Sequence, residues 1–200
     1  LTGLRAALPA YRLAPEHPAP AALEDALAAH AALLAKGIRP ADIRLAGDSA
    51  GAGLALALLA ELCRRDARPG RVALFSPWAD LTGRAQSLRR NAAADPLLPV
   101  ERFADVVGYV RGGLAPEDPR LSPVFARFAA PPPTLIQAGT TEIVADDALA
   151  AAEALRAGGG AVTLSCWPAA PHVWHLFDGW IPEARAALEE AAAFLSARPG

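Results

Sequence analysis

Five consecutive residues have types and spacing suited to nucleophilic chemistry. Gly47-Asp48-Ser49-Ala50-Gly51 fits the pattern G-x-S-x-G and stands between a short apolar run, Ile43 to Ala46, and a strongly helical run, Ala52 to Arg65. A sharp strand-to-helix turn at this place forces the serine into a strained backbone conformation and projects its hydroxyl. Small residues at both ends let neighbouring backbone approach closely. The backbone N–H of Ala50, at the helix start, points to where an oxyanion would form, and the helix N-terminus adds a favourable field for that charge. Ser49 is the candidate nucleophile and Ala50 the candidate oxyanion donor. The plain alternative is a serine that only caps a helix.

A nucleophilic serine needs a base, and the chain has His17, His30, His172 and His175. His17 lies in a proline-rich loop. His30 falls within a helical pattern and is expected at the surface. His172 follows a strand and a turn, Trp167-Pro168-Ala169-Ala170-Pro171-His172, and a loop beyond the carboxyl end of a parallel strand is where catalytic groups gather in open α/β sheets. His175, three residues on, stays a competitor. The base needs an acid to hold its tautomer and stabilise its imidazolium. That acid should follow the strand Thr134 to Ala138, where Glu142, Asp146 and Asp147 stand. Asp146 and Asp147 sit where a helix N-terminus favours carboxylates, so capping is the expectation for both; Glu142 lies in the loop itself.

The elements that must position these groups alternate. Strands are expected over Gly3 to Tyr11, Ile43 to Ala46, Val72 to Ser76, Thr134 to Ala138 and Ala161 to Trp167. Helices are expected over Ala21 to Lys36, Ala52 to Arg65, Val100 to Arg111, Asp146 to Ala157 and Pro182 to Ala197. This alternation implies a parallel sheet with helices on both faces. The stretch Gly83 to Pro99 is polar and lacks a period. Phe103, Val107 and Tyr109, beyond it, either line a pocket or simply pack a helix.

The chain has 200 residues, 53% hydrophobic and 20% charged, enough for one domain with its own core, over residues 1–200. A net charge of −2 gives no general electrostatic case for nucleic acid or an anionic membrane as partner. No apolar run is long enough to span a bilayer, and no leader sequence is evident. Cys63 and Cys166 form no CxxC or Cys/His cluster, so a zinc site is not expected; both are read as free, buried thiols. A cytoplasmic location is the expectation.

Taken together, several motifs resemble one family, the hormone-sensitive-lipase-like carboxylesterases of the α/β-hydrolase fold-3 group. Tyr11-Arg12-Leu13-Ala14-Pro15-Glu16-His17-Pro18 resembles its YRLAPEHP signature and Gly47-Asp48-Ser49-Ala50-Gly51 its GDSAG elbow. Ser76-Pro77-Trp78-Ala79-Asp80-Leu81-Thr82, Leu121-Ser122-Pro123 and Pro171-His172-Val173-Trp174 resemble later segments in order. The chain order of serine, acid and histidine is also that of α/β-hydrolases. The resemblance implies an α/β-hydrolase fold and a triad of Ser49, Glu142 and His172. Glu142-Ile143-Val144-Ala145-Asp146 aligns with the segment that carries the family's acid, and Asp146 stays the alternative.

The resemblance implies a serine esterase acting on short-chain acyl, acetyl or lactone esters, with no cofactor or metal and a small-molecule ester as partner. A homodimer is kept as an open alternative. The family's HGGG loop, a source of further oxyanion donors, has no counterpart here, and Leu1 stands where a translated frame would have Met. The expectation is a piece of a longer product, the C-terminal two-thirds of the family domain. In the family sheet another strand lies between the first strand expected here and that at Ile43, so these two either pair directly or leave a gap. The rival readings are a catalytically impaired fragment and a small-ligand-binding relative.

Overall fold

Residues 1–197 are described by the structure, a computed structural model. Four strands, β1 (Arg44–Asp48), β2 (Arg71–Phe75), β3 (Thr134–Gly139) and β4 (Val162–Trp167), pair in the order β1-β2-β3-β4, all parallel. One row of the sheet runs Leu45, Val72, Thr134, Val162. The carboxyl ends of all four strands therefore fall along one edge, where the loops carrying the candidate residues emerge.

Among the described residues six α-helices accompany the sheet: α1 (Ala21–Ala35), α2 (Ser49–Arg64), α3 (Ser87–Arg90), α4 (Phe103–Val110), α5 (Ala145–Ala157) and α6 (Pro182–Ser196). Val72 and Leu74 point to one face of β2, where α2 and α5 bring Leu56, Leu59, Ala151 and Leu155 against them. Burying each of these leucines contributes about 1.5–3 kcal/mol. Residues of opposite parity point to the other face, as strand geometry requires. There the Gln137 amide donates to the Ala187 carbonyl of α6, and Phe75 packs its ring 4.6 Å from that of His175. Helix α2 follows β1 directly, starting at the carboxyl edge of the sheet.

Helix α1 packs on the outside of α2, with Leu23 and Ala26 against Ala57, Leu58 and Leu62. Its entry is pinned by Arg12, whose guanidinium reaches both Asp25 and Glu24 and whose N–H donates to Asp25. His30 is buried rather than at the surface. It continues the inward face of Leu23 and Ala26 at helical spacing, and burial lowers its pKa.

The strand expected at Gly3 to Tyr11 does not form. Residues 3–10 are exposed without regular structure, Leu8 at 94%, and among the described residues β1 pairs only with β2. A single extended segment without a neighbouring ladder gains neither hydrogen bonds nor a buried face. Pro9 lacks a donor, and Gly3 sits at φ 68°, a further interruption of extended backbone. The two segments thus do not close up into a pair. The cysteines are both free, but only Cys63 is buried; Cys166, on edge strand β4, is exposed. Among the described residues no helix is long and apolar enough to cross a membrane.

Candidate active site

The elbow is a direct consequence of local geometry. Asp48 is extended at φ −123° and precedes the first residue of α2, Ser49, which is held at φ 50°. A non-glycine residue in the left-handed region is strained, and this turn aims the Ser49 hydroxyl out of the helix. Ser49 does not cap α2: its Oγ lies 2.8 Å from His172 Nε2. A Cβ at Gly47 would lie 2.4 Å from the Gly51 carbonyl oxygen, whereas one at Gly51 would meet nothing closer than 3.9 Å. Of the two elbow glycines, only Gly47 must be small. Gly53 is equally constrained, because the Trp78 carbonyl oxygen lies 2.2 Å from where its Cβ would be. Ala50 follows in the first turn of α2, where N–H groups have no intrahelical acceptor.

His172 Nδ1 lies 2.6 Å from Glu142 Oε2. A carboxylate only accepts, so Nδ1 carries the proton and Nε2 receives the Ser49 hydroxyl. Ser49, His172 and Glu142 thus form one hydrogen-bonded line, with His172 and Glu142 buried. The other carboxylate oxygen, Glu142 Oε1, accepts from the Gly139 N–H and from the Ser76 hydroxyl at 2.8 Å. Ser76 Oγ in turn accepts the Val173 N–H at 3.1 Å.

The remaining candidates face elsewhere. His175 is buried beside Trp174 and Phe75 and meets Gln137 Oε1 at 2.9 Å through Nε2; burial pushes its pKa down to about 4. Asp146 accepts the Ser87 N–H and pairs with Arg90. Burial pushes its carboxyl up, but Arg90 and the Ser87 N–H outweigh that and hold it below the usual range. Asp147 accepts the N–H groups of Ala79 and Asp80. Both lie in the first turn of α5, yet neither serves as the N-cap, which is Val144; each instead ties α5 to the segment after β2. His17 makes a turn contact to Leu13 through its backbone.

The polar stretch Gly83 to Pro99 clamps the loop that carries Glu142. The Asn91 amide donates to the carbonyls of Thr140 and Glu142 at 2.9 and 2.7 Å. Ser87 Oγ donates to the Ile143 carbonyl and Asp95 accepts the Ile143 N–H. Ser87, Asn91 and Asp95 recur at intervals of four, a signal that a search for apolar periodicity misses. Phe103 packs edge-on against Trp78 at 6.0 Å, while Tyr109 is exposed, so α4 packs as a surface helix. A cleft of about 520 Å³ beside Pro168, Pro171, Phe177 and Trp180 is lined by none of Ser49, Glu142 and His172. Among the described residues, no three His, Cys, Asp or Glu side chains are grouped to hold a metal ion.

The chain has marked likeness to known proteins. The family model described as alpha/beta hydrolase fold matches residues 1–176. An acetyl-hydrolase of Streptomyces hygroscopicus is 42% identical over 193 residues, covering 95% of this chain and 64% of that protein. An esterase of Acinetobacter venetianus is 39% identical over 186 residues, covering 92% and 61%. The chain therefore spans less than two thirds of the length of these relatives. A crystal structure of an esterase from the bacterial hormone-sensitive lipase family superposes with a TM-score of 0.90 at 39% identity, over 96% of this chain and 65% of that one. The esterase EstE5, whose crystal was soaked with p-nitrophenyl butyrate, superposes at 0.89 with 37% identity, over 93% and 63%. With four parallel strands, helices on both faces and the elbow at the carboxyl edge, the chain belongs to the α/β-hydrolase fold-3 family, that of the bacterial esterases similar to hormone-sensitive lipase.

Proposed function

We propose that the chain is a serine ester hydrolase of the carboxylesterase type, working as one catalytic domain through Ser49, His172 and Glu142. The observation that carries this reading is the unbroken line from Ser49 Oγ through His172 to Glu142, at 2.8 and 2.6 Å. His172 Nε2 takes the Ser49 proton as Oγ bonds to the ester carbonyl carbon. Glu142 keeps the Nδ1 proton in place and stabilises the imidazolium that forms. His172 then returns its proton to the departing alcohol. A water, deprotonated by the same nitrogen, attacks the acyl-serine carbon; the bond to Ser49 Oγ breaks, Oγ takes the proton back from His172 and the carboxylic acid leaves.

The Ala50 N–H meets the developing oxyanion, assisted by the α2 N-terminus. Each oxyanion donor is worth on the order of 10²–10³ in rate, so the Ala50 donor alone supports slow turnover. The substrates are short acyl or acetyl esters: the relatives are named acetyl-hydrolase and esterase, and EstE5 was soaked with a butyrate ester. No cofactor takes part. A cytoplasmic location goes with this reading. A base in contact with the serine gives no support to a purely ligand-binding role.

The test is hydrolysis of p-nitrophenyl butyrate by the chain beside Ser49→Ala and His172→Ala, with fluorophosphonate labelling in parallel. Turnover and labelling lost in both variants are expected. A folded chain that neither turns over the ester nor labels at Ser49 would overturn the reading.

A further inference from the structure

Ser76 is fully buried, and its hydroxyl both donates and accepts. Oγ donates to Glu142 Oε1 at 2.8 Å and accepts the Val173 N–H at 3.1 Å. A serine hydroxyl has one proton to give, and here it goes to the acid of the triad. The group that it accepts belongs to the residue immediately after the base. One side chain at β2's exit thus holds Glu142 directly and the His172 loop through the residue that follows the histidine.

The backbone around this contact is strained on both sides. Ser76 sits at φ 46° and Val173 at φ 49°. For a β-branched residue such a φ is an outlier, held only where surrounding structure over-determines it. The Ser76 N–H is anchored to the Gln137 carbonyl at 2.7 Å, which fixes the serine to the sheet. The Ser76 hydroxyl then fixes Val173, and Val173 sets the direction from which His172 enters. On the acid side, Oε1 is held by Ser76 and the Gly139 N–H, so the carboxylate cannot turn about its last torsion. Oε2 is left for His172 alone.

We propose that Ser76 is the positioning residue of this site: its hydroxyl locks the Glu142 carboxylate and the His172 loop to each other, and so holds His172 as the Nδ1–H tautomer that accepts from Ser49. This rests on the triad reading above. It concerns geometry and proton placement at His172, not contact with substrate.

The test reads the tautomer directly. In chain labelled with ¹⁵N-histidine, ring nitrogen shifts report which nitrogen holds the proton, and the His172 signals are those absent in His172→Gln. Wild type is expected to show the Nδ1–H form alone, and Glu142→Gln to disturb it. Ser76→Ala and Ser76→Gly are expected to show a mixture of tautomers. They should also lower kcat toward p-nitrophenyl butyrate on the order of 10²-fold with KM little changed, the mark of a misplaced catalytic group. Glycine relieves the φ of 46° while removing the hydroxyl, so Ser76→Gly keeps the test standing if Ser76→Ala unfolds. Ser76→Thr retains a hydroxyl and should restore the single tautomer, at some loss of stability because a branched side chain resists this backbone. If the alanine and glycine variants keep the wild-type tautomer and rate, the proposal is overturned. If the neutral His172 ring in wild type is the Nε2–H form, the Glu142–His172 pairing itself is wrong, and the triad reading falls with it.

Discussion

Gly139 and Ala170 approach so closely that the Ala170 carbonyl oxygen lies 2.1 Å from where a Cβ on Gly139 would be. This contact joins the end of β3, which leads to Glu142, to the turn after β4, which leads to His172. Together with the pairing of β3 and β4 it brings Glu142 and His172 within hydrogen-bond reach although 30 residues separate them in sequence. Gly139→Ala places a methyl group against fixed backbone, and overpacking of this kind costs about 1–3 kcal/mol. The loops can relieve it only by parting. We expect a lower melting temperature and much slower fluorophosphonate labelling of Ser49. Gly51→Ala is the control, since its Cβ meets nothing within 3.9 Å. Equal labelling of the two variants would refute the role given to Gly139.

The two carboxylates at 142 and 146 should separate cleanly by kinetics. Glu142 bonds to His172, and Asp146 bonds to Ser87 and Arg90. Glu142→Gln leaves an amide that can donate to His172 and so favours the wrong tautomer, a change worth on the order of 10⁴ in kcat for a buried triad acid. Asp146→Asn should leave kcat within a small factor of wild type and act on stability instead. The reverse ranking would hand the acid's role to Asp146.

Two buried groups pull stability in opposite directions over one pH window. Burial holds the His175 pKa down at about 4, against about 6.5 unfolded. The unfolded chain therefore binds the extra proton first, and this contribution, full above pH 6.5, is lost as pH falls to 4. At about 1.4 kcal/mol per pKa step it amounts to about 3 kcal/mol. Burial pushes the Asp147 carboxyl up to about 7, against two N–H donors that favour its charged form. Its contribution is full below its unfolded value and lost as pH rises through 7. The wild-type profile should therefore be shallow. Asp147→Asn removes one opposing slope while keeping an oxygen for Ala79 and Asp80. Urea unfolding should show it more stable than wild type at pH 8 and losing stability more steeply toward pH 4.5; parallel profiles would count against the assignment.

Sequence alone exposes the parts of this molecule that are set by local pattern. The elbow is legible because glycines, a strand and a helix punctuate it within a few residues, and the alternation of strands and helices follows from the same signals. What stays hidden depends on partners far along the chain. His172 and His175 are three residues apart, and which one meets Ser49 is decided by the left-handed turn at Val173, which no propensity for valine suggests. Ser76 reads as one more small residue after a strand, and its meaning appears only when Glu142 and Val173 arrive beside it. His30 stays hidden for a different reason: its spacing from Leu23 and Ala26 places it on the inward face, but its polarity argues for solvent. The segment Gly3 to Tyr11 has a strand's composition, and composition cannot say whether a neighbouring strand is there to receive it.

Asn91 offers the sharpest test of the clamp on the acid loop. Its amide donates to two carbonyls, those of Thr140 and Glu142, which flank the turn carrying the acid. Asn91→Ala leaves these acceptors without a donor, and an unsatisfied buried polar group costs about 1–3 kcal/mol. Asn91→Asp is nearly the same shape but sets a carboxylate oxygen against two carbonyl oxygens, so it must repel where the amide attracts. The aspartate variant should therefore be the worse of the two, in both melting temperature and rate of Ser49 labelling, although it is the smaller change in volume. A simple packing role for Asn91 makes the opposite prediction, with Asn91→Ala worse because it leaves the larger void. Thermal melts and labelling of the two variants side by side decide between attraction and mere filling.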